Sequence, residues 1–363
     1  MIVVLFSFSA CANDKKPSLS DAKISKDAKF GAAVVDVSIE KFNELGFSLG
    51  DSCDVVFSNG YTLTDVPYFN GYYVKNALPV IVAYPSNEYV LITLNNSGIW
   101  ETANLTEDCT VTLNTAKKYL ATQEALGQSY SLLRSEYAND EEFVNFRAIS
   151  GGNLKQNFIF RGASPLDNSR KRAPYADKLL SDHAVAYVVD LADSESDLTK
   201  YFAAEDFSSA YTKGLYENGK VVLLSMSSSY ASDAYKQSVV KGFESMLTDD
   251  GPYYVHCMEG KDRTGFVCAL IEALAGATYD EMCADYMATY KNYYKITESE
   301  TPEKYNAVVK LYFDSFMECI GGTTDDSSLK TADYAAGTKA YLKSGGMTDE
   351  NTDKFIRLIT NEA

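Results

Sequence analysis

Two patterns of hydrophobic and polar residues divide the chain. Between residues 185 and 275, short apolar runs alternate with longer amphipathic stretches. The apolar runs have the length and composition of buried strands and stand at 185–191, 220–224 and 253–256. The amphipathic stretches repeat apolar residues every three or four positions, which predicts helices at 233–247 and 264–275. This alternation predicts right-handed βαβ units, and therefore an α/β domain with a central, mostly parallel sheet flanked by helices.

Residues 29–115 show the second pattern, in which apolar and polar residues alternate and turns are frequent. Segments with strand character are KFGAAVVDVSI, DSCDVVF, YYVKNALPVIVAY, YVLITLNN and CTVTLN. The sequences SNG at 58–60 and NNSG at 95–98 are typical of turns. We therefore predict a small N-terminal all-β domain, which could close as a barrel. It shows no cluster of catalytic residue types, which favours a spacer or a substrate-docking module.

The remaining segments are predicted to be helical. Residues 116–143 have the composition of a helical link between the β domain and the α/β domain. Beyond residue 275, apolar residues at helical spacing predict helices within 278–294, 301–320, 329–342 and 344–359. Thr278, Thr301 and Thr348 are suited to begin three of these helices. The α/β domain is therefore expected to occupy 144–363.

The sequence HCMEGKDRTG at 256–265 joins the last predicted strand to the helix at 264–275. A tight loop that enters a helix N-terminus presents backbone N–H groups and the positive end of the helix dipole to an anion. Cys257 opens this loop and Arg263 closes it, with five residues between them. Arg263 can offer a fork of donors to a tetrahedral oxyanion, and the same positive surroundings favour the thiolate form of Cys257. The pattern predicts attack of Cys257 on phosphorus and a phosphocysteine that water then hydrolyses. The alternative is a Cys257 that only packs in the core, with Arg263 as a surface charge.

The HCMEGKDRTG segment resembles the signature loop of the cysteine-dependent protein tyrosine phosphatase superfamily, His-Cys-x5-Arg-Thr/Ser-Gly. Its Gly-Lys-Asp-Arg form is similar to that of bacterial tyrosine and dual-specificity phosphatases that also act on phosphoinositides. The resemblance covers roughly 144–360, but only the loop from Cys257 to Gly265 is specific. It implies a protein tyrosine phosphatase-like α/β fold, an enzyme that needs no cofactor, and a phosphorylated substrate. No metal site is expected, because the two histidines, His183 and His256, offer no ligand cluster.

The resemblance also implies roles for individual residues of the loop. The guanidinium of Arg263 and the backbone N–H groups of the loop would hold the phosphoryl oxygens; these N–H groups belong to Met258, Glu259, Gly260, Lys261, Asp262 and Arg263. Thr264 could donate its hydroxyl toward the Cys257 sulfur, which would help the thiolate to leave in the second step. His256 would fix the base of the loop by bonding to the backbone rather than act as a general base. Lys261 could bind a second phosphate, such as one on an inositol ring.

Three aspartates are candidates for the general acid that protonates the leaving oxygen. Asp190 ends a buried strand, where side chains of open α/β sheets face the ligand crevice, and Asp193 follows in an acidic loop. Asp262 lies in the signature loop and is preferred. Its alternative is an ion pair with Lys261 or Arg172, and the alternative for Asp193 is a solvated loop residue. The family has Asp-Leu-Arg where this chain has Asp-Leu-Ala at 190–192, so the family's arginine has no counterpart here.

Two further segments resemble family motifs that carry an arginine. VNFRAISGG at 144–152 resembles the Asn-Phe-Arg-Asp-Leu-Gly-Gly opening of the family, with Ala148 and Ile149 in place of Asp and Leu. FIFRGASP at 158–165 resembles the Phe-Arg-Ser strand end. In the family these arginines organise the floor and rim of the pocket, so Arg147 and Arg161 are expected to support the site. The alternative for both is a surface salt bridge.

Charge and the N-terminal segment bear on partners and location. The net charge of −17 excludes nucleic acid as a partner and argues against electrostatic binding of the whole chain to anionic lipid. MIVVLFSFSACAN at 1–13 resembles the end of a lipoprotein signal peptide cleaved before Cys11, and the polar residues up to 28 would form a tether. This predicts an exported protein anchored to the bacterial cell surface through a lipid on Cys11 alone. The alternative is a plain N-terminal strand. Export would permit a disulfide between Cys53 and Cys109, whose proximity the sequence does not reveal.

The leading functional hypothesis is a phosphomonoester hydrolase that acts on phosphotyrosine or phosphoserine proteins or on phosphoinositides. A cysteine-type phytase is the first alternative, and Glu259 and Asp262 depart from the loop pattern of that group. The second alternative is a catalytically inactive phosphate-binding surface module. The presence of both Cys257 and Arg263 argues against it.

Overall fold

The computed structural model describes residues 16–361. They form two compact units, of which the first ends at Gly127 and the second begins at Gln128. The predicted signal segment and its Cys11 lie outside the described residues, so the lipid anchor stays a prediction. Among residues 16–361, no helix combines the length and the apolar character needed to cross a membrane.

The first unit is a closed barrel of seven strands. In chain order the strands are β1 (Ser18–Lys26), β2 (Ala33–Ser38), β3 (Asp51–Phe57), β4 (Thr62–Phe69), β5 (Pro79–Val82), β6 (Tyr89–Leu94) and β7 (Thr110–Lys118). Around the barrel they follow the order β1-β2-β6-β5-β4-β3-β7, in which β4 and β5 are parallel and the other pairs are antiparallel. Three short helices complete the unit: α1 (Ile39–Glu44), α2 (Ile99–Thr102) and α3 (Leu120–Leu126).

The structure corrects the predicted limits of this unit. Residues 12–28 were expected to be a tether, yet 18–26 form β1, which pairs with β2 and β7. Only Ile24 of this strand is buried, so the strand carries little hydrophobic pattern and is held mainly by backbone pairing. The predicted helical link at 116–143 is also only partly helical, because β7 extends to Lys118 and residues 127–133 contain no helix. Cys53 and Cys109 are both free thiols.

The second unit is a mixed α/β domain built on a five-stranded sheet. Its strands are β8 (Arg147–Ala148), β9 (Ile159–Gly162), β10 (Tyr187–Asp190), β11 (Val221–Leu223) and β12 (Tyr253–His256). The order in the sheet is β11-β10-β12-β9-β8. β11, β10, β12 and β9 pair in parallel, and β8 adds to β9 in the antiparallel sense.

Helices make up most of the rest of this unit. They are α4 (Asp140–Phe143), α5 (Ala173–Asp182), α6 (Glu195–Phe202), α7 (Ala210–Glu217), α8 (Asp233–Met246), α9 (Asp262–Leu274), α10 (Tyr279–Tyr294), α11 (Pro302–Val308), α12 (Asp314–Gly321), α13 (Asp326–Leu329), α14 (Tyr334–Ser344) and α15 (Asp349–Ile359). A π-helical turn joins α11 to α12. The side chains of Thr278 and Thr348 cap α10 and α15 by accepting backbone N–H bonds.

Helix α9 differs from its prediction in burial. The sequence predicts one buried face, but every residue from Thr264 to Leu274 is buried. A helix that is apolar on all sides is a central element of the core rather than a surface element. Such a helix holds its N-terminus in a fixed position, and that N-terminus carries the candidate site.

Candidate active site

The loop between β12 and α9 lies where three parallel strands end together. His256, the last residue of β12, pairs in register with Gly162 of β9 and Asp190 of β10. Ligands of open α/β sheets bind at such carboxyl ends. α9 begins at Asp262, two residues before its predicted start. Cys257 is 4% exposed, whereas the next side chain, Met258, is 38% exposed.

The backbone of the loop is free to receive an anion. Within the described part of the chain, the N–H groups of Met258, Glu259, Gly260 and Lys261 donate no hydrogen bond to a protein acceptor. They immediately precede the N-terminus of α9, where the helix dipole is positive. The arrangement is therefore an oxyanion cradle.

Gly260 sets the shape of this loop. Its φ is +66°, a left-handed conformation that side chains rarely adopt, and a Cβ built on it would lie 2.2 Å from the carbonyl oxygen of Gly162. The close approach joins the loop to the end of β9. No residue with a side chain fits here unless the backbone moves.

The variant Gly260→Ala is therefore expected to lower the free energy of unfolding by at least about 2 kcal/mol, because left-handed strain and the backbone clash add. Gly276→Ala is the matched control, since Gly276 has a φ of +82° and nothing within 4 Å of the added Cβ. Urea denaturation followed by circular dichroism measures both. Equal losses for the two variants would show that the contact with Gly162 adds no strain.

The loop is held from below by two buried side chains. Arg161 donates from Nη2 to the carbonyl oxygen of Gly260 at 2.9 Å and, more weakly, to that of Lys261 at 3.4 Å. Asn145 donates from Nδ2 to the same Gly260 oxygen at 3.1 Å. Arg161 is completely buried, so the alternative of a surface salt bridge is wrong for this residue.

Arg147 supports the loop only indirectly. It bonds to the Asp285 carboxylate at 2.7 Å and to the Asn145 side-chain oxygen at 2.7 Å. Asp285 also pairs with Arg161. Burial raises the pKa of Asp285, but the two guanidinium groups outweigh burial and lower it, so the carboxylate is charged. Arg147 thus positions Asp285 and Asn145, which in turn contact Arg161 and the loop.

The charges of Arg263, Cys257, Asp262 and Lys261 all act on the buried hydroxyl of Tyr230. Burial raises the pKa of Tyr230, the neighbouring Asp262 and Cys257 raise it further, and Arg263 and Lys261 act in the opposite direction. Arg263 donates from Nη1 to the carbonyl oxygen of Met226 at 3.0 Å, which fixes one branch of the guanidinium. The predicted nucleophile, guanidinium and acid therefore share one neighbourhood.

Lys261 and Asp262 form the rim of this neighbourhood. Their charged groups are 3.6 Å apart, and the Asp262 side chain is 45% exposed. The hydroxyl of Tyr286 donates weakly to Asp262 at 3.5 Å. Burial would lower the pKa of Lys261, but Asp262 and the neighbouring tyrosines outweigh burial and raise it, so the ammonium group is charged. The alternative pairing of Asp262 with Arg172 is wrong, because Arg172 is buried among the rings of Tyr130, Phe143 and Tyr293.

The side chain and backbone of Glu259 are both anchored. The hydroxyl of Tyr130 donates to its carboxylate, and Arg170 lies 3.5 Å from the same oxygen. The hydroxyl of Tyr293 donates to the Glu259 carbonyl oxygen at 2.9 Å. The backbone of Met258 is held as well, since its carbonyl oxygen accepts the N–H of Ser164 at 3.1 Å. These contacts fix the outer half of the loop.

Thr264 does not donate a hydrogen bond to Cys257 in this structure. Its hydroxyl is buried, and it has no hydrogen-bond partner among the residues that the structure describes, Cys257 included. The hydroxyl is therefore available to a group that enters the site. The role of Thr264 in helping the Cys257 thiolate to leave in the second step stays a prediction.

Asp190, Asp193 and His256 form a buried titratable cluster behind the loop. Asp190 accepts backbone N–H bonds from Ala192 at 2.8 Å and Asp193 at 3.0 Å, and its other oxygen lies 3.8 Å from His256 Nε2. Burial raises the pKa of Asp190 to about 6 and, with help from Asp190, that of Asp193 to about 7. Burial lowers the pKa of His256 to about 4, and its ring contacts the Cys257 carbonyl oxygen at 3.3 Å.

This cluster is expected to make the stability of the protein depend on pH. Because the folded state raises the pKa of Asp193, it holds that proton more tightly than the unfolded state does, so the contribution of Asp193 to stability falls as pH rises from about 4 to about 7. The lowered pKa of His256 makes its own contribution to stability rise with pH below 6.5. His256 is present in both the wild type and the Asp193→Asn variant, so its contribution cancels in the comparison. The asparagine of the Asp193→Asn variant does not titrate. Between pH 4 and pH 7, the free energy of unfolding of this variant is therefore expected to fall by roughly 1 to 3 kcal/mol less than that of the wild type.

Urea unfolding at half-unit pH steps measures the effect, with the exposed Asp250→Asn as control. Identical pH profiles for the wild type and Asp193→Asn would contradict the assignment of a raised pKa to Asp193.

Several residues that shape the site were not singled out from the sequence. Asn145 has a φ of +58°, which asparagine tolerates well, and it stands in the VNFRAISGG segment, so its motif was a usable signal. Asp285, Tyr230 and Tyr293 are far from the loop in sequence, and nothing in their local pattern marks them. Within the described residues, no group of three or more His, Cys, Asp and Glu side chains is arranged to hold a metal ion.

Comparison with solved structures finds only distant likenesses. No curated protein matches the chain. Among solved structures, the core catalytic domain of the PP-IP phosphatase SIW14 from S. cerevisiae, in complex with citrate, is 17% identical with a TM-score of 0.27, and the match covers 48% of this chain and 94% of that one. An uncharacterized conserved protein from Thermotoga maritima is 12% identical with a TM-score of 0.23; the match covers 25% of this chain and about a third, 35%, of that protein. Likenesses at this level do not define a fold.

A family model gives the decisive match. The model described as the tyrosine phosphatase family matches residues 139–361, which is more than half of the chain. The matched range includes β8 to β12, the loop from Cys257 to Arg263 and the buried arginine that holds it. The chain therefore belongs to the tyrosine phosphatase family and is an enzyme of the tyrosine phosphatase type.

Proposed function

We propose that the protein hydrolyses phosphomonoesters through a phosphocysteine formed on Cys257. The observation that carries this proposal is the cradle of unpaired backbone N–H groups between Cys257 and the N-terminus of α9. Gly260 and Arg161 hold that cradle in place before substrate arrives. Preorganised donors of this kind stabilise charge that develops in a transition state without reorganising at the moment of reaction.

The reaction has two steps. In the first, the Cys257 sulfur attacks phosphorus, the S–P bond forms and the bond from phosphorus to the leaving oxygen breaks. The leaving oxygen takes a proton from a general acid. In the second, a water oxygen attacks phosphorus, the S–P bond breaks, and the water proton passes to the carboxylate that has just lost its own. Arg263 and the N–H groups of the loop hold the three equatorial oxygens throughout.

Asp262 is the general acid of this proposal. Its side chain is 45% exposed at the rim of the cradle, where a leaving group would depart. Asp190 is fully buried, and Asp193 is 7% exposed. Their positions around His256 suit them to fix the base of the loop instead. Proton transfer requires a donor within hydrogen-bond reach of the leaving oxygen, and only the exposed carboxyl meets this condition without a conformational change.

Asp262→Asn is expected to reduce kcat for phenyl phosphate about 10²-fold, because phenolate is a poor leaving group without a proton. It should reduce the first step with p-nitrophenyl phosphate far less, since p-nitrophenolate leaves unaided. Single-turnover rates with both substrates measure the difference. Asp193→Asn is the comparison variant, and a larger leaving-group effect there than in Asp262→Asn would move the acid role to Asp193.

The substrate class is proposed from the charge at the rim. Lys261 is charged, lies beside Asp262 and packs against the rings of Tyr290 and Tyr294 at 5.7 and 5.8 Å. These rings hold the ammonium group beside the cradle, where it suits a second phosphate. We propose phosphotyrosine or phosphoserine proteins and phosphoinositides as the substrates.

Phosphate release from a matched panel tests this proposal. The panel contains a phosphotyrosine peptide, a phosphoserine peptide, soluble phosphoinositides and phytate, each with wild type and Lys261→Met. If the peptides are hydrolysed and the Lys261→Met substitution does not change their rate, phosphorylated proteins are the substrates. If phosphoinositides are hydrolysed and the Lys261→Met substitution lowers their rate, phosphoinositides are the substrates. Preference for phytate would favour the phytase alternative, and no release from any member would leave only a phosphate-binding module.

A further inference from the structure

The barrel unit contains a cavity that the phosphatase site does not use. Its volume is about 710 Å³, within the range of small-molecule sites. Its lining combines aromatic, amide and hydroxyl side chains, among them Phe30, Tyr72, Asn87, Thr93, Asn95 and Asn96. None of the candidate catalytic residues belongs to this unit.

Aromatic rings are left exposed at this cavity. Phe30 is 65% exposed and Tyr72 is 41% exposed. Tyr84, 45% exposed, continues the surface, with its ring centroid 6.4 Å from that of Tyr72. Burying such a ring contributes about 1.5 to 3 kcal/mol, so a fold that leaves three of them at one surface forgoes stability there. Exposed apolar surface gathered at a cavity is typical of a binding site.

The polar groups of the cavity are neutral and held in position. Asn95 donates from Nδ2 to the carbonyl oxygen of Val74 at 2.6 Å, and Asn96 donates to the Asn76 side chain at 2.6 Å. These bonds orient both amides. The side chain of Asn87 has no hydrogen-bond partner among residues 16–361. An amide offers both donors and an acceptor, which matches a hydroxyl group that also does both.

Charge does not favour an anionic ligand in this cavity. The charged residues that line it are Asp27 and Lys29, which balance each other. Lys29 lies over the ring of Phe30 at 4.7 Å, and Asp27 accepts the backbone N–H of Phe30 at 2.6 Å. Single-stranded nucleic acid also stacks on aromatic rings, but it requires a cationic groove, and the chain carries a net charge of −17.

Topology excludes an extended peptide. Peptides that bind sheets add a strand to a free edge and take most of their affinity from main-chain hydrogen bonds. The seven strands of this unit close on themselves, so the barrel offers no such edge. The ligand that fits these conditions has an apolar face, which packs on the aromatic rings, and neutral hydroxyl groups, which bond to the amides.

We infer that this cavity binds a neutral carbohydrate. The C–H face of a sugar ring packs on Phe30 and Tyr72, because the negative face of an aromatic ring attracts the weakly positive C–H groups. The hydroxyls at the edge of the sugar bond to the amides of Asn87, Asn95 and Asn96. This inference does not depend on the phosphatase chemistry of the second unit.

The test uses the full chain and a glycan array that carries neutral and acidic oligosaccharides. Neutral glycans are expected to bind, and the tightest of them is then titrated by calorimetry. Phe30→Ala and Tyr72→Ala should each weaken binding about tenfold, which corresponds to the loss of one stacking contact.

Two controls keep the result decisive. Tyr89→Ala removes a tyrosine of β6 that is 36% exposed and does not line this cavity, and it should bind like wild type. Tyr72→Phe keeps the ring and should retain binding even if Tyr72→Ala loses its fold. The inference is overturned if no neutral glycan binds, if only acidic glycans bind, or if binding survives in the double variant Phe30→Ala, Tyr72→Ala.

Discussion

Cys257→Ser is expected to reduce hydrolysis of p-nitrophenyl phosphate by at least about 10⁴-fold while the protein stays folded. The hydroxyl of serine is a far weaker nucleophile than a thiolate. The cradle does not depend on the sulfur, because Gly260, Asn145 and Arg161 hold its backbone. The binding of inorganic phosphate or vanadate should therefore survive. Steady-state kinetics and isothermal titration calorimetry measure the two properties.

The matched control is Cys319→Ser, which replaces a partly exposed free thiol on α12 with the same change of chemistry. It should retain full activity. Turnover by Cys257→Ser within tenfold of the wild type would remove the nucleophile from the proposal. Loss of anion binding together with activity would instead indicate that the substitution had disturbed the loop.

Arg263→Lys is expected to reduce kcat/KM about 10²- to 10³-fold, although it conserves the positive charge. A guanidinium offers paired, planar donors to two phosphoryl oxygens, and an ammonium offers a single point of charge. The bond from Arg263 to the carbonyl oxygen of Met226 at 3.0 Å occupies one branch of the fork and orients the other. A lysine cannot fill both positions. Most of the loss should lie in kcat, because the contact strengthens as charge develops.

Arg357→Lys on the exposed surface of α15 is the control, and its kinetics should match the wild type. An Arg263→Lys enzyme whose KM rises while kcat stays constant would show that Arg263 only helps substrate to bind. That outcome would move transition-state stabilisation entirely to the backbone of the loop.

The loop could be predicted from sequence because its chemistry is local. Cys257, Gly260 and Arg263 lie within seven residues of one another, and a strand before them and a helix after them can be read from hydrophobic spacing. The positive φ of Gly260 and its approach to Gly162 require a residue without a side chain at this turn. The geometry of such a loop is determined by residues that are close together in the sequence, so it can be predicted from them.

The supporting residues could not be predicted in the same way because their contacts cross the whole unit. Asp285 pairs with Arg161 from 124 positions away, and Asn145 reaches Gly260 from 115 positions away. The motif around Asn145 was a usable signal, but nothing in the local pattern of Asp285 suggests its contact with Arg161. The motif resemblance indicated Arg147 and Arg161, but the carboxylate between them became visible only when α10 was placed beside the sheet.

Two strands of the barrel likewise could not be predicted from the sequence pattern. β1 has one buried residue, and β4 contains Pro67 and a left-handed Asp65, so neither strand shows the alternation that marks the others. Both are strands because a closed barrel requires partners for their neighbours. The exposed aromatic surface of the barrel was equally invisible in sequence, since Phe30 and Tyr72 look like core residues of a strand.

The most direct test of the account is to trap the phosphoenzyme. The Asp262→Asn variant is mixed with p-nitrophenyl phosphate, whose leaving group needs no proton, and the mixture is quenched in denaturant within milliseconds. The second step should be slow in this variant, so one phosphoryl group should appear on the peptide that contains Cys257 and be absent when Cys257 is also serine. Phosphate release without any phosphoryl group on Cys257, or with the group on another residue, would contradict the account.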